Sequence, residues 1–158
     1  MKIATWNVNS INARIEHLVK FIKKDQSDIY LIQELKCINE AFPYDELEKL
    51  GYNCYVNGQK AWNGVAILSK NNLIIQNNKI PTFKEDGQSR FLETSIKISK
   101  IKKPIKLFCI YLPNGNPIET EKFDYKIKWM KKFNEYIIDL YRKNDPIIIG
   151  GDFNVIPT

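Results

Sequence analysis

Asp152 and Asn154 stand two residues apart, directly after the apolar run Pro146–Ile149 and the glycine pair Gly150-Gly151. A run of this kind reads as a short buried strand. The two glycines leave room for another backbone or a ligand to come close. In extended backbone, residues two apart point to the same side. A carboxylate beside an amide suits holding a hard cation, a water and a phosphate oxygen together. The same pair would equally serve to cap the turn after a strand. Two other stretches end in the same way: Asp28 to Glu34 is an apolar run with a carboxylate at its end, and Lys2 to Val8 carries Asn7. Taken singly, Glu34 also reads as a helix-capping acid and Asn7 as a turn residue. Ligand sites in layered α/β folds gather at strand ends. Two carboxylates with amides between them favour Mg²⁺ or Mn²⁺ over zinc, because hard cations take oxygen ligands. Without a cation, carboxylates crowded together would drive one pKa up.

The elements that must position these residues follow from hydrophobic periodicity. Ser10 reads as an N-cap for a helix whose stripe is Ile15, Leu18, Val19 and Ile22. Phe42 to Leu50 reads as a short helix closed by Gly51. Tyr52–Val56 and Gly64–Ser69 read as a hairpin, with Leu73–Gln76 a further strand. Leu92, Thr94, Ile96 and Ile98 alternate with polar residues, which predicts a half-exposed strand. Ile105–Leu112 is a strand, and Lys122 to Arg142 is the longest helix. Many strands with few helices indicate one α/β layered domain with a mixed β-sheet.

Composition narrows the function classes. With 158 residues, 44% hydrophobic and 27% charged, the chain matches a folded globular domain. Neither a signal-peptide pattern nor an apolar run of membrane-spanning length is present, so a cytoplasmic location without a membrane partner is the expectation. Three scattered cysteines, Cys37, Cys54 and Cys109, contain no C-x-x-C pair and so indicate neither zinc nor a disulfide framework. The net charge of +6 favours a polyanionic partner, although a general Lys/Asn/Ile bias would produce the same figure. The only histidine, His17, lies beside the first helical stripe and receives no role.

Six stretches stand in an order and spacing that resembles the exonuclease III family of apurinic/apyrimidinic endonucleases, within the endonuclease/exonuclease/phosphatase superfamily. They are Thr5-Trp-Asn-Val-Asn9, Ile32-Gln-Glu-Leu-Lys36, Gly58-Gln-Lys60, Gly64-Val-Ala-Ile-Leu68, Tyr111-Leu-Pro-Asn-Gly115 and Gly150-Gly-Asp-Phe-Asn154. The resemblance implies a Mg²⁺-dependent DNA-repair phosphodiesterase acting on double-stranded DNA with abasic sites or 3′ ends. It implies Glu34 as principal metal ligand with Asn7 beside it, and Asp152 as the acid/base residue, with Asn154 holding Asp152 and the phosphate. Asp152 and Asn154 stand with the metal set as well. Tyr111 is implied as the phenol on the scissile phosphate, and Gln59, Lys60 and Arg90 as DNA contacts. Another hydrolase of the superfamily, acting on a phospholipid or inositol phosphate, is the competing reading. The Gln59-Lys60 loop and the positive charge favour DNA.

The sequence also departs from that family. Its members run about a hundred residues further by resemblance, and their second half carries another Asp/Asn set and an Asp-His pair. No Asp-His occurs here. Residues 1–158 are therefore expected to form the N-terminal half of a four-layer αββα sandwich, truncated, and to be inactive or weak alone. A non-catalytic remnant that binds metal or DNA is the alternative. The strands at Ile29–Ile32, Ile105–Leu112 and Ile147–Ile149 are apolar enough to be covered on both faces, whereas the two helices can cover one. This predicts an exposed apolar face that drives aggregation, dimerisation or recruitment of a second chain.

Overall fold

The computed structural model describes residues 1–155. Two units of the same design frame it. In the first, β1 (Ile3–Asn7) and β2 (Ile29–Gln33) pair in parallel, joined by α1 (Ile11–Asp25). In the second, β7 (Ile105–Tyr111) and β8 (Ile147–Asp152) pair in parallel, joined by α3 (Glu121–Arg142). Parallel neighbours need such a crossover. Each parallel pair is extended by antiparallel strands. Sheet one has the order β1-β2-β4-β3, with β3 (Asn53–Asn57) and β4 (Val65–Ser69) forming the expected hairpin. Sheet two has the order β5-β6-β7-β8, with β5 (Ile74–Asn77) and β6 (Phe91–Ile96).

The layers follow from side-chain alternation. Along β2 and β4, Tyr30, Ile32, Ala66 and Leu68 face α1, where Ile11, Leu18 and Ile22 meet them. Ile29, Leu31, Val65 and Ile67 point the other way, against Leu92, Ile105, Leu107 and Cys109 of sheet two. Phe108 and Ile110 then turn outward to α3, against Trp129, Tyr136 and Leu140. Both helices bury residues at the same spacing, i, i+7 and i+11, the inward stripe of a helix lying on a sheet. The architecture is thus α/β/β/α.

This overturns the expected bare apolar face. The strands are apolar on both faces, as read, but the second cover is the chain's own second sheet. The sequence reading placed all strands in one sheet. Hydrophobic period cannot distinguish two stacked sheets from one, because the short segment between β4 and β5 carries the chain across without changing the pattern.

Four local expectations are also corrected. Strand β6 is buried rather than half exposed: it lies between β5 and β7, and Glu93 is fully buried with partners Lys106 at 2.9 Å, Asn77 at 2.6 Å and Tyr136 at 2.8 Å. Strand β8 runs through both glycines to Asp152 and, as an edge strand, is half-buried along its length. Ser10 precedes α1 but makes no side-chain cap; its backbone N–H donates to the Glu34 carbonyl at 2.8 Å. The short helix is divided into a 3₁₀ turn at Asn39–Ala41 and α2 (Tyr44–Glu48).

Candidate active site

The two parallel pairs present their C-terminal ends together. Asn7 is the last residue of β1 and Glu34 follows β2; Tyr111 ends β7 and Asp152 ends β8. The two sheets converge here. The Asn7 amide nitrogen donates to Glu34 Oε1 and to Asp152 Oδ2, each at 2.8 Å. The Tyr111 hydroxyl donates to the same Glu34 Oε1 at 2.7 Å. Lys36 Nζ lies 3.1 Å from Glu34 Oε2. Four residues read separately along the sequence therefore form one hydrogen-bonded group.

The backbone around Glu34 is held in an unusual state. Glu34 has φ 57°, in the left-handed region that carries a cost for a residue with a Cβ. The surrounding backbone fixes it: Val8 N donates to Gln33 O at 3.0 Å, Ser10 N to Glu34 O at 2.8 Å and Leu35 N to Gly64 O at 3.2 Å. Gln33 is buried beneath and donates to Leu31 O at 2.9 Å and to Thr5 Oγ1 at 3.1 Å. Opposite, the glycines of β8 are required by close approach. A Cβ on Gly150 would lie 2.5 Å from Leu31 Cδ1 of sheet one, and on Gly151, at φ 145°, 2.0 Å from the Ile110 carbonyl oxygen. The neighbour that comes close is backbone and core rather than ligand.

Electrostatics sharpen the group. Burial pushes the Glu34 carboxyl up, but hydrogen bonds from Asn7, Tyr111 and Lys36 together outweigh it and hold Glu34 below the usual carboxylate range. Tyr111 moves the other way. Burial, then the bond to Glu34 and its charge, push the phenol up to about 12 against the opposing Arg90 cation. The Arg90 guanidinium lies over the Tyr111 ring at 4.6 Å, and its Nη1 donates to the Tyr111 carbonyl at 3.2 Å.

Asn154 differs from the side-by-side arrangement read from its spacing. It has φ 45°, so the chain has already left the strand. Its backbone N–H donates to Asp152 Oδ1 at 2.9 Å, and its side chain donates to the Leu112 carbonyl at 2.7 Å. The turn-capping role of the pair is thus realised. Asn7, Asp152 and Asn154 line a cavity of 270 Å³ at the open end of the sheets. Gln59 and Arg90 line a neighbouring cleft of 740 Å³; Lys60 is exposed on the same loop, outside that lining. His17 is exposed on α1.

Among the described residues, no group of three or more His, Cys, Asp or Glu gathers. The donor set is two carboxylates and an amide, whose oxygen chemistry fits a hard divalent cation and not a soft one. The sequence did not single out Lys36, which pairs with Glu34, or Asn63, Gln88 and Trp62, which line the neighbouring cleft. Lys36 stands inside the quoted Gln-Glu-Leu-Lys stretch. The other three sit on loops, whose side chains carry no periodic signal.

A sequence model of the endonuclease/exonuclease/phosphatase family matches residues 4–158. The chain belongs to this family. One member it resembles is an exodeoxyribonuclease III of Haemophilus influenzae, 34% identical over all of this chain and 59% of that protein. Among solved structures, a Neisseria 3′ phosphatase, NExo, bound to a product DNA hairpin is 31% identical with a TM-score of 0.86, over 100% of this chain and 59% of that one. An AP endonuclease from Archaeoglobus fulgidus is 30% identical with a TM-score of 0.85, with the same coverage, 100% and 59%. The chain spans about three fifths of the length of these relatives. Like those solved structures, this family member has a mixed α/β fold, here built on two mixed sheets. No helix among the described residues is long and apolar enough to cross a membrane.

Proposed function

We propose that this chain carries part of the active site of a metal-dependent DNA-repair phosphodiesterase, an AP endonuclease and 3′–5′ exonuclease of the exonuclease III type. One observation supports this most: Asn7 joins Glu34 and Asp152 across the two sheets at 2.8 Å each, with Tyr111 on the same carboxylate. Relatives with nuclease names, and one solved with a DNA product, agree with the reading.

Glu34 and Asn7 would hold the cation, Mg²⁺ or Mn²⁺, with Asp152 and Asn154 beside them. When bound, the cation polarises the phosphate and offsets the developing charge. The protein residues supply the rest. Asp152 orients the attacking water or handles the leaving-group proton. Tyr111, a protonated donor at neutral pH, would turn its hydroxyl from Glu34 to a phosphate oxygen as charge develops there. Asn154 fixes Asp152 through its backbone N–H. Gln59, Lys60 and Arg90 contact the strand.

The deciding assay uses a duplex with one abasic site and a duplex with a 3′ end, with and without Mg²⁺. Turnover by this chain alone is expected to be weak, by about 10²–10⁴-fold, because among the described residues no histidine stands at the site to act as a general base. Mg²⁺-dependent cleavage that Glu34→Gln abolishes supports the enzyme. Cleavage that persists in chelator or survives Glu34→Gln would sink it. Salt-sensitive duplex binding with no cleavage would favour the non-catalytic DNA-binding reading.

A further inference from the structure

The 740 Å³ cleft beside Tyr111 has a feature that phosphate contacts alone do not require. Trp62 lines it and is 69% exposed. The loop that carries it is costly to form: Ala61 and Asn63, on either side, have φ 65° and 58°. Left-handed backbone at an alanine is unfavourable and persists only when neighbours enforce it. The turn is closed by Trp62 N donating to Lys60 O at 2.8 Å, and the buried Asn63 anchors it, donating to Gln59 Oε1 at 3.0 Å and to Gln88 Oε1 at 3.3 Å.

Those same bonds set the polarity of the cleft. Gln59 Oε1 also accepts from Ser89 N at 2.9 Å, and Gln88 Oε1 from Arg90 Nε at 2.6 Å. Both amide oxygens are therefore occupied within the protein, which leaves their NH₂ groups as the donors available to a ligand. Arg90 and Lys122 add positive charge, and among the described residues no Asp or Glu lines the cleft. The walls thus offer amide donors and two cations, beside the amides of Asn114 and Asn116, with one large exposed aromatic residue. Acceptor-rich, anionic ligands with a flat ring fit such a surface. A nucleotide with an unstacked base is that kind of ligand, since base stacking on an aromatic side chain tolerates any base.

We propose that this cleft binds an unpaired nucleotide of the DNA strand next to the reacting phosphate, with its base stacked on Trp62 and its phosphate against Arg90, Lys122 and the Gln59 and Gln88 amides. The inference rests on the DNA reading above for the kind of strand supplied. The position is set by Arg90, which lines the cleft and also lies over the Tyr111 ring. A duplex with an unpaired nucleotide at that position should therefore bind better than a fully paired duplex of equal length.

Binding is measured by fluorescence anisotropy, without Mg²⁺, on a labelled thymidine oligonucleotide and on a strand of the same length lacking bases. Trp62→Ala should weaken binding of the thymidine strand by about 5- to 150-fold, the equivalent of about 1–3 kcal/mol of stacking, and leave the base-free strand unchanged. Trp62→Phe should restore most of the loss. Equal affinity of wild type and Trp62→Ala for the thymidine strand would overturn the proposal. So would equal losses on both strands, which would make Trp62 a shaper of the loop only. Base-dependent binding without abasic-site cleavage would fail the enzyme reading and keep the cleft. Cleavage with no effect of Trp62→Ala on either strand would do the reverse.

Discussion

The Tyr111 hydroxyl donates to Glu34 Oε1 at 2.7 Å, although Tyr111 ends β7 in one sheet and Glu34 follows β2 in the other. This bond, with the two from Asn7, closes the open end of the sandwich. On the proposed function, stability and chemistry would then depend on the same few atoms. Replacing Tyr111 with Phe keeps the ring under Arg90 but removes the donor. Stability should fall by about 1.5–3 kcal/mol, the range for a hydrogen bond to a charged group. If Tyr111 meets the phosphate, cleavage should fall about 10²–10³-fold as well. Urea denaturation and the abasic-site assay read the two losses. Unchanged values in both would remove Tyr111 from the site.

Asn7 separates two carboxylates with a neutral amide. Asn7→Asp would bring a third carboxylate to that point. Like charges repel, so in chelator the variant should melt below wild type, by about 1–3 kcal/mol. A hard cation would relieve the repulsion, and Mg²⁺ should recover much of the loss because it binds only the folded state. Thermal melts with and without Mg²⁺ provide the comparison. A variant that Mg²⁺ does not restore would argue against a cation at this position.

Gly151 and Gly87 give a matched contrast. A Cβ at Gly151 would sit 2.0 Å from the Ile110 carbonyl oxygen, at a φ of 145°, whereas at Gly87 nothing lies within 4 Å. Gly151→Ala must push β8 away from β7 and carry Asp152 with it. A loss above about 2 kcal/mol is expected, with loss of activity. Gly87→Ala should be neutral or stabilising by about 0.4–1 kcal/mol through the unfolded chain. Equal melting temperatures for the two variants would contradict the packing described for β8.

The far end of sheet one should govern acid sensitivity. Asp25 receives hydrogen bonds from Lys2 Nζ at 2.6 Å and Tyr30 OH at 3.0 Å, and another from the Ser27 hydroxyl. The Lys2 bond first, then Ser27, hold its carboxyl far below the usual carboxylate range. A depressed folded pKa means that the stabilisation is complete above the unfolded value, about 3.9. It is lost progressively as pH falls below that value toward the folded one. Asp25→Asn should therefore flatten the acid limb of the stability curve, measured by melting from neutral pH down through the carboxylate range. An acid limb identical to wild type would exclude Asp25 as its source.

Much of the element plan was legible because its signals are local. The stripe at Leu18 and Ile22 and the apolar face around Trp129 and Leu140 mark helices through their period, and α1 and α3 lie where that period puts them. Glu34, Asn7 and Asp152 were recognisable as strand-end residues because each stands at or just past the end of a mostly apolar stretch. Family membership was likewise legible, since the short stretches that carry it survive as contiguous sequence. What the sequence by itself could not determine depends on contacts between distant residues. Period-two alternation gives Leu31 and Leu107 an inward face but does not say that they face each other across two sheets. The burial of Glu93 rests on Lys106, Asn77 and Tyr136, which come from three other elements. The turn of Asn154 away from the strand follows from the Leu112 carbonyl that its side chain meets. The sharing of Asn7 between Glu34 and Asp152, 145 positions beyond it in the chain, exists only once both sheets have closed. Hydrophobic pattern decides which face of an element is buried; pairing and packing at long range decide against what, and the site is made of those long-range contacts.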